Sequence, residues 1–170
     1  MKVAWRPMFV ADMESIFKLS ERVHKDYPED NSVFDEKLRL FPYGCFTLEA
    51  QDSKIVGYCF SHPWTRGIPP DLDTLLEKLP ATPTTYFIHD LALDDQWRGK
   101  GLAAAIMPVI QDVTRIFRLA HQTLVAVHRT EGFWRKFGFT ATPDAALQSV
   151  VRQKYSDEAT HMEACVDHHF

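Results

Sequence analysis

The chain has 170 residues, 45% of them apolar and 25% charged, which suits one globular domain spanning 1–170. A chain of this length buries roughly 68–70% of its unfolded surface and needs neither disulfide staples nor a structural metal. Its net charge of −4 argues against nucleic acid or an anionic membrane as partner, because both require concentrated basic surface.

Cys45, Cys59 and Cys165 are odd in number and lack C-x-x-C spacing, so neither a disulfide framework nor a zinc ribbon is expected. The opening residues MKVAWRPMFVADMES carry Arg, Asp and Glu instead of the roughly 7–15-residue apolar run of a signal peptide. No stretch approaches the roughly 18 apolar residues of a membrane span. The expectation is a soluble, cytoplasmic protein.

In chain order, Val3–Trp5 is a short β-type run. Asp12 can cap a helix whose Ile16, Leu19 and Val23 recur at helical spacing, ending near Tyr27–Pro28. Residues 28–44 are acidic and broken by proline, with an amphipathic turn or two around Phe34–Leu40; Asp26, Glu29, Asp30, Asp35 and Glu36 read as a solvated face. Cys45–Glu49 and Lys54–Ser61 flank the turn residues Gln51-Asp52-Ser53 as a hairpin, and a three-residue loop would set Cys45 opposite Cys59. Residues 62–85 hold five of the ten prolines and read as an insertion beside a site, with a short amphipathic helix from Asp71 through Leu79.

Tyr86–Leu93 reads as a buried strand that places Phe87, His89 and Leu91 on one face and Ile88, Asp90 and Ala92 on the other. A helix follows Gly101, with Leu102, Ile106, Ile110 and Val113 on one stripe and a kink at Pro108. Thr123–Val127 is a further strand, and Phe133–Lys136 a short helix stopped by Gly138. Phe139–Ala141 is a strand, Pro143–Tyr155 holds a last helix, and Thr160–Val166 is the last strand. His168-His169 reads as a frayed tail, not a metal tract. A hairpin before a strand–helix–strand unit makes a mixed α/β domain.

The informative stretch is Gln96-Trp97-Arg98-Gly99-Lys100-Gly101-Leu102-Ala103. Alternate glycines let the backbone turn with successive N–H groups facing one concavity, at a helix N-terminus that favours an anion. Arg98 and Lys100 add positive charge, so a phosphate or pyrophosphate ligand is expected. Gly99, Gly101 and Ala104 also fit the dinucleotide pattern G-x-G-x-x-A. There, however, the glycines follow the strand directly, and an acidic ribose ligand follows the next strand, where this chain has His128-Arg129.

Q-x-x-G-x-G followed by Leu-Ala, after a strand reading H-D-L-A-L, closely resembles motif A of the GNAT family of N-acetyltransferases. Phe133–Phe139 (FWRKFGF) resembles that family's motif B, at matching order and spacing. The resemblance covers most of the chain, and most specifically residues 86–140, its cofactor core. It implies a mostly antiparallel sheet flanked by helices, with splayed central strands, and acetyl-CoA as cosubstrate without a metal. The pyrophosphate would lie on Arg98, Gly99, Lys100, Gly101, Leu102, Ala103 and Ala104. The pantetheine arm would pair with the backbone of Leu91, Ala92 and Leu93, where one amide polarises the thioester carbonyl. Attack by the amine would be direct, so no cysteine need act as a nucleophile.

By the same resemblance His89 lies on the face that presents the family's catalytic base, and the unperturbed imidazole pKa of ~6.5 suits that task. Motif B commonly places a tyrosine as general acid where this chain has Trp134, whose indole cannot supply a proton. Tyr27, Tyr155 and His128 are the alternative donors. Trp134 and Lys136 are candidates to touch the cofactor. His62, Trp64 and Phe87 are candidates for the acceptor side, whose specificity falls to residues 24–44 and 62–85. The expected acceptor is a small-molecule primary amine; a homodimer is common in such folds. A non-catalytic acyl-CoA-binding module, or transfer from another acyl-CoA, is the alternative reading.

Overall fold

The computed structural model describes residues 2–167; the His168-His169 expectation lies outside them. Short runs rich in branched and aromatic residues become seven strands: β1 (Val3–Pro7), β2 (Cys45–Ala50), β3 (Ile55–Trp64), β4 (Thr85–Leu93), β5 (His121–Ala126), β6 (Thr140–Ala141) and β7 (Thr160–Cys165). They form one sheet in the order β1-β2-β3-β4-β5-β7-β6. Among the described residues only β4 and β5 run parallel. Parallel neighbours need a crossover, supplied here by α3 (Leu102–Ala105) and α4 (Met107–Ile116).

Both faces of the sheet are covered. Tyr58, Phe60 and Ala92 pack against Ile16 and Leu19 of α1 (Met13–Val23) and against Phe34 and Leu38 of α2 (Asn31–Leu40). Tyr86, Ile88 and Leu124 pack on the opposite face against Met107, Ile110 and Trp134, the last on α5 (Glu131–Arg135). Each of the large apolar side chains among them, fully buried, contributes about 1.5–3 kcal/mol. A sixth helix, α6 (Ala145–Lys154), lies against β7 and ties to it by Gln148, which bonds the backbone of His161 in both directions.

Local physics shifts several expected elements. The β2–β3 loop is short, but a bulge at Leu48/Glu49 slides the register, so Cys45 faces Phe60 and Cys59 faces Phe46. Helix α1 ends at Val23, and Asp12 caps nothing there; its carboxylate accepts from the Arg6 guanidinium at 2.8 Å and from the Phe9 N–H at 2.8 Å. Helix α2 starts earlier than expected, at Asn31, because the Asp30 carboxylate accepts the Ser32 N–H. Pro108 splits the expected long helix at Ile106. No helix forms over 71–79. Asp73 and Glu77 sit at φ +51 and +62, and the Leu76 and Glu77 N–H groups donate to the Glu36 carboxylate instead of to a helical turn.

Candidate active site

Beside β4 the sheet opens. β4 and β5 pair only from Tyr86–Ile88 to Gln122–Leu124, so past Ile88 the two strands part and the β4 edge on that side has no strand partner among the described residues. The wedge continues as a groove of about 770 Å³ between that edge, the start of α3 and α5. Its floor is apolar. Leu91, Ala92 and Leu93 line one wall, and Leu124, Phe133 and Trp134 line the other.

One end of the groove is made of backbone. Gly99 and Gly101 adopt φ +72 and +75, in the left-handed region that favours glycine, and a Cβ built on either would meet nothing within 4 Å. The turn therefore presents unobstructed amides directly before Leu102, where α3 begins. Arg98 borders this end, its Nε donating to the Leu93 carbonyl at 3.2 Å. Gly99, Gly101, Leu102, Ala103 and Ala104 border it too, and Lys136 lines the groove. Lys100 does not; its ammonium lies over the Trp97 ring, 5.1 Å from the centroid. The whole end fits a diphosphate, since bare amides and an arginine face one open concavity.

The other end is made of side chains, and a bulge puts them there. Phe60 faces Asp90 but Ser61 faces Ile88, so His89 is the extra residue in β4. The simple alternation expected for this strand fails at that point, and His89 and Asp90 share one face while Leu91 turns to the other. Asp90 therefore does not point away from the site. It and His89 both border the groove and a second, inner pocket of about 50 Å³.

Each of the two has a partner from the α1–α2 side. His89 Nε2 lies 2.9 Å from Glu29 Oε1, with side-chain exposures of 3% and 6%. Burial alone would raise the Glu29 carboxyl, but the adjoining His89 imidazole holds it down to about 2. A carboxylate only accepts, so His89 Nε2 carries a hydrogen, and in the neutral ring the lone pair falls to Nδ1. Nδ1 is buried without a hydrogen-bond partner among the described residues. His24 Nε2 lies 2.8 Å from Asp90 Oδ1, and the Tyr58 hydroxyl donates to Oδ2 at 2.9 Å. The negative charge of Asp90 raises the His24 imidazole above its usual range, against the effect of burial.

Glu29 and Glu36 are thus buried, not members of a solvated face. The second oxygen of Glu29 accepts the Asp73 N–H at 3.2 Å, and Glu36 holds Leu76 and Glu77, so both pin the 65–84 segment beside the inner pocket. Lys37, 2% exposed and lowered by burial, supplies positive charge behind them. Tyr27, Leu72, Phe87 and Tyr155 complete the inner wall. Tyr27 donates to Ser156 and Tyr155 to the Pro70 carbonyl, so both hydroxyl protons are engaged. His128 borders the groove with its ring 5.0 Å edge-on to Tyr27.

His62 and Trp64 border neither cavity. His62 is 1% exposed, 6.1 Å from the His89 ring centroid, and its imidazole is lowered to about 3 by burial. Trp64 stacks edge-on against His62 and donates to the Ile68 carbonyl. Sequence reasoning missed His24, Glu29 and Asp90 as site residues. The single-residue bulge is what turns Asp90 and its partner His24 toward His89, and no motif marks it. Among the described residues, no group of three or more His, Cys, Asp or Glu side chains is placed to hold a metal ion. None of the described helices is long and apolar enough to cross a membrane.

The chain aligns in structure with Ard1 from Thermoplasma volcanium at a TM-score of 0.74 and 17% identity, covering 98% of this chain and 99% of that one. It aligns with the loading GNATL domain of CurA from Lyngbya majuscula at 0.79 and 12%, covering 99% and 100%. N-acetylglutamate synthase from Neisseria gonorrhoeae, complexed with coenzyme A and N-acetyl-glutamate, aligns at 0.68 and 12%, covering 98% of this chain and 36% of that one. At such identities the likeness shows the fold alone. No curated protein matches the sequence. The model of the Acetyltransferase (GNAT) family matches residues 8–139, most of the chain, and the protein belongs to that family.

Proposed function

We propose that this protein transfers an acetyl group from acetyl-CoA to a small-molecule primary amine, by direct attack and without an acyl-enzyme. The observation that carries the reading is the wedge between β4 and β5, with an anion-binding turn at one end and two histidine–carboxylate pairs, one buried and one half-buried, at the other. Family membership supports acyl transfer, and the CoA bound to the Neisseria synthase supports the choice of carrier.

The Gly99–Ala104 backbone takes the diphosphate, and Arg98 adds a counter-charge. The parted β4 edge offers unpaired strand backbone around Leu91–Leu93 to the pantetheine arm, and an amide there polarises the thioester carbonyl. Leu91, Phe133 and Trp134 keep the thioester end dry. His89 accepts the amine's proton at Nδ1, because Glu29 fixes Nε2 as the protonated nitrogen. The inner pocket is narrow, aromatic and flanked by carboxylates, which suits a slim primary ammonium group. None of the three cysteines borders either cavity, in keeping with transfer in one step.

The test is CoA thiol release across a panel of small primary amines, with wild type and His89→Ala. The expected result is amine-dependent release that falls about 100-fold or more in the variant. Trp134, in place of a phenol, favours the second reading, a module that binds acyl-CoA without turnover. Tight binding with no amine-dependent release would establish that module and end the transferase reading.

A further inference from the structure

Among the described residues the groove walls include no tyrosine and no cysteine, so a departing thiolate has few groups from which to take a proton. Arg98 lies beside the glycine turn with its Nε on the Leu93 carbonyl, and Lys136 is exposed to solvent. His89 has Nε2 committed to Glu29, and its neutral ring, the form that receives the amine's proton, has no hydrogen at Nδ1 to give. His128 lies edge-on to Tyr27, and no described carboxylate is hydrogen-bonded to its ring. His24 shares with His89 a place beside both cavities and a carboxylate behind its Nε2, but its side chain is 18% exposed against 3% for His89.

We propose that His24, backed by Asp90, is the proton donor to the leaving CoA thiolate, a role that rests on the transferase reading above. The amine nitrogen forms the C–N bond at the thioester carbonyl carbon, and the C–S bond breaks. The sulfur takes the proton of His24 Nδ1, the ring nitrogen not committed to Asp90, and the proton shed by the nitrogen leaves through His89. The products are the amide and the CoA thiol, and His24 regains a proton from solvent. Two pairs thus divide the work, His89–Glu29 receiving a proton and His24–Asp90 giving one.

The groups facing His24 favour its charged form on balance. Asp90 on β4 is bonded to it, Glu29 ahead of α2 adds negative charge, and Arg98 opposes both. The Tyr58 ring on β3 meets it edge-on at 6.5 Å and places its hydroxyl on Asp90, not on His24.

The experiment follows ring-labelled histidines by NMR from acid to alkaline pH in the full chain, free, with CoA and with desulfo-CoA, using His24→Gln for assignment. The expected His24 midpoint lies above ~6.5 and differs between the CoA and desulfo-CoA complexes by about half a pH unit or more. Asp90→Asn lowers that midpoint. With hydroxylamine as acceptor, wild-type turnover falls on the alkaline side as the His24 proton is lost. His24→Gln turns over about 100-fold more slowly and shows no such limb. Identical His24 curves with both bound ligands, or an unchanged alkaline limb in His24→Gln, overturn this inference and leave the transferase reading standing. Failure of both ligands to bind, or no turnover at any pH with any of a panel of small primary amines, overturns both.

Discussion

The two ends of the groove are built in opposite ways. At the glycine turn the chain offers backbone: two left-handed glycines, open amides and a helix start, all within a few consecutive residues. At the bulge it offers side chains drawn from four places, His24 after α1, Glu29 before α2, Tyr58 on β3 and His89-Asp90 on β4. A ligand shared by many proteins can be held by a local backbone shape. A reaction centre needs charges at defined positions, and charges that close together must be buried and paired across the fold.

The largest expected effect breaks the side-chain end. Glu29→Ala leaves the His89 Nε2–H and the Asp73 N–H without their acceptor and Lys37 with one carboxylate fewer. Loss of one partner of a buried pair costs about 3–5 kcal/mol, read as a lower denaturant midpoint, and Glu29→Gln should recover part of it. A variant as stable as wild type would mean that the pair is not formed.

Acid should weaken the core that stands behind this end, where the His62 ring lies 6.1 Å from that of His89. The folded His62 imidazole titrates at about 3 against ~6.5 when unfolded. Below ~6.5 the unfolded chain therefore binds a proton that the folded chain refuses. Stability is complete above that pH and falls by up to about 1.4 kcal/mol per pH unit on the way down to about 3. Glu29, held at about 2, acts in the same direction over a more acidic window. His62→Phe should flatten the upper part of the slope in urea titrations at a series of pH values. An equally steep slope in that variant would assign the acid lability elsewhere.

The charge that lines the groove should answer to salt instead. Lys136 is exposed and borders the groove, so Lys136→Ala should weaken acetyl-CoA binding by about 1 kcal/mol or less, and the loss should shrink as salt rises. A loss that ignores ionic strength would point to packing, not charge.

The same contrast explains what the sequence made legible. Gly99 and Gly101 could be read because their function is local, and the flanking strand and helix followed from apolar spacing. Glu29 and Glu36 could not be read, since their acidic neighbours are exposed and only the fold buries these two. His89 could be singled out but not paired. The bulge that turns Asp90 onto its face is a single extra residue, and strict alternation predicts the opposite orientation. The 71–79 segment has helical leucine spacing, yet tertiary bonds to Glu36 claim its N–H groups, and positive φ at Asp73 and Glu77 breaks the turn.

The most direct test of the account is a calorimetric titration of acetyl-CoA into wild type and into the Gly99→Glu/Gly101→Glu double variant. Added side chains there meet open space, so the fold should survive at a modest backbone cost while negative charge fills the anion cradle. The account predicts micromolar binding to wild type and at least a tenfold loss, about 1.4 kcal/mol, in the folded variant. Equal binding by both proteins, or none by folded wild type, would contradict it.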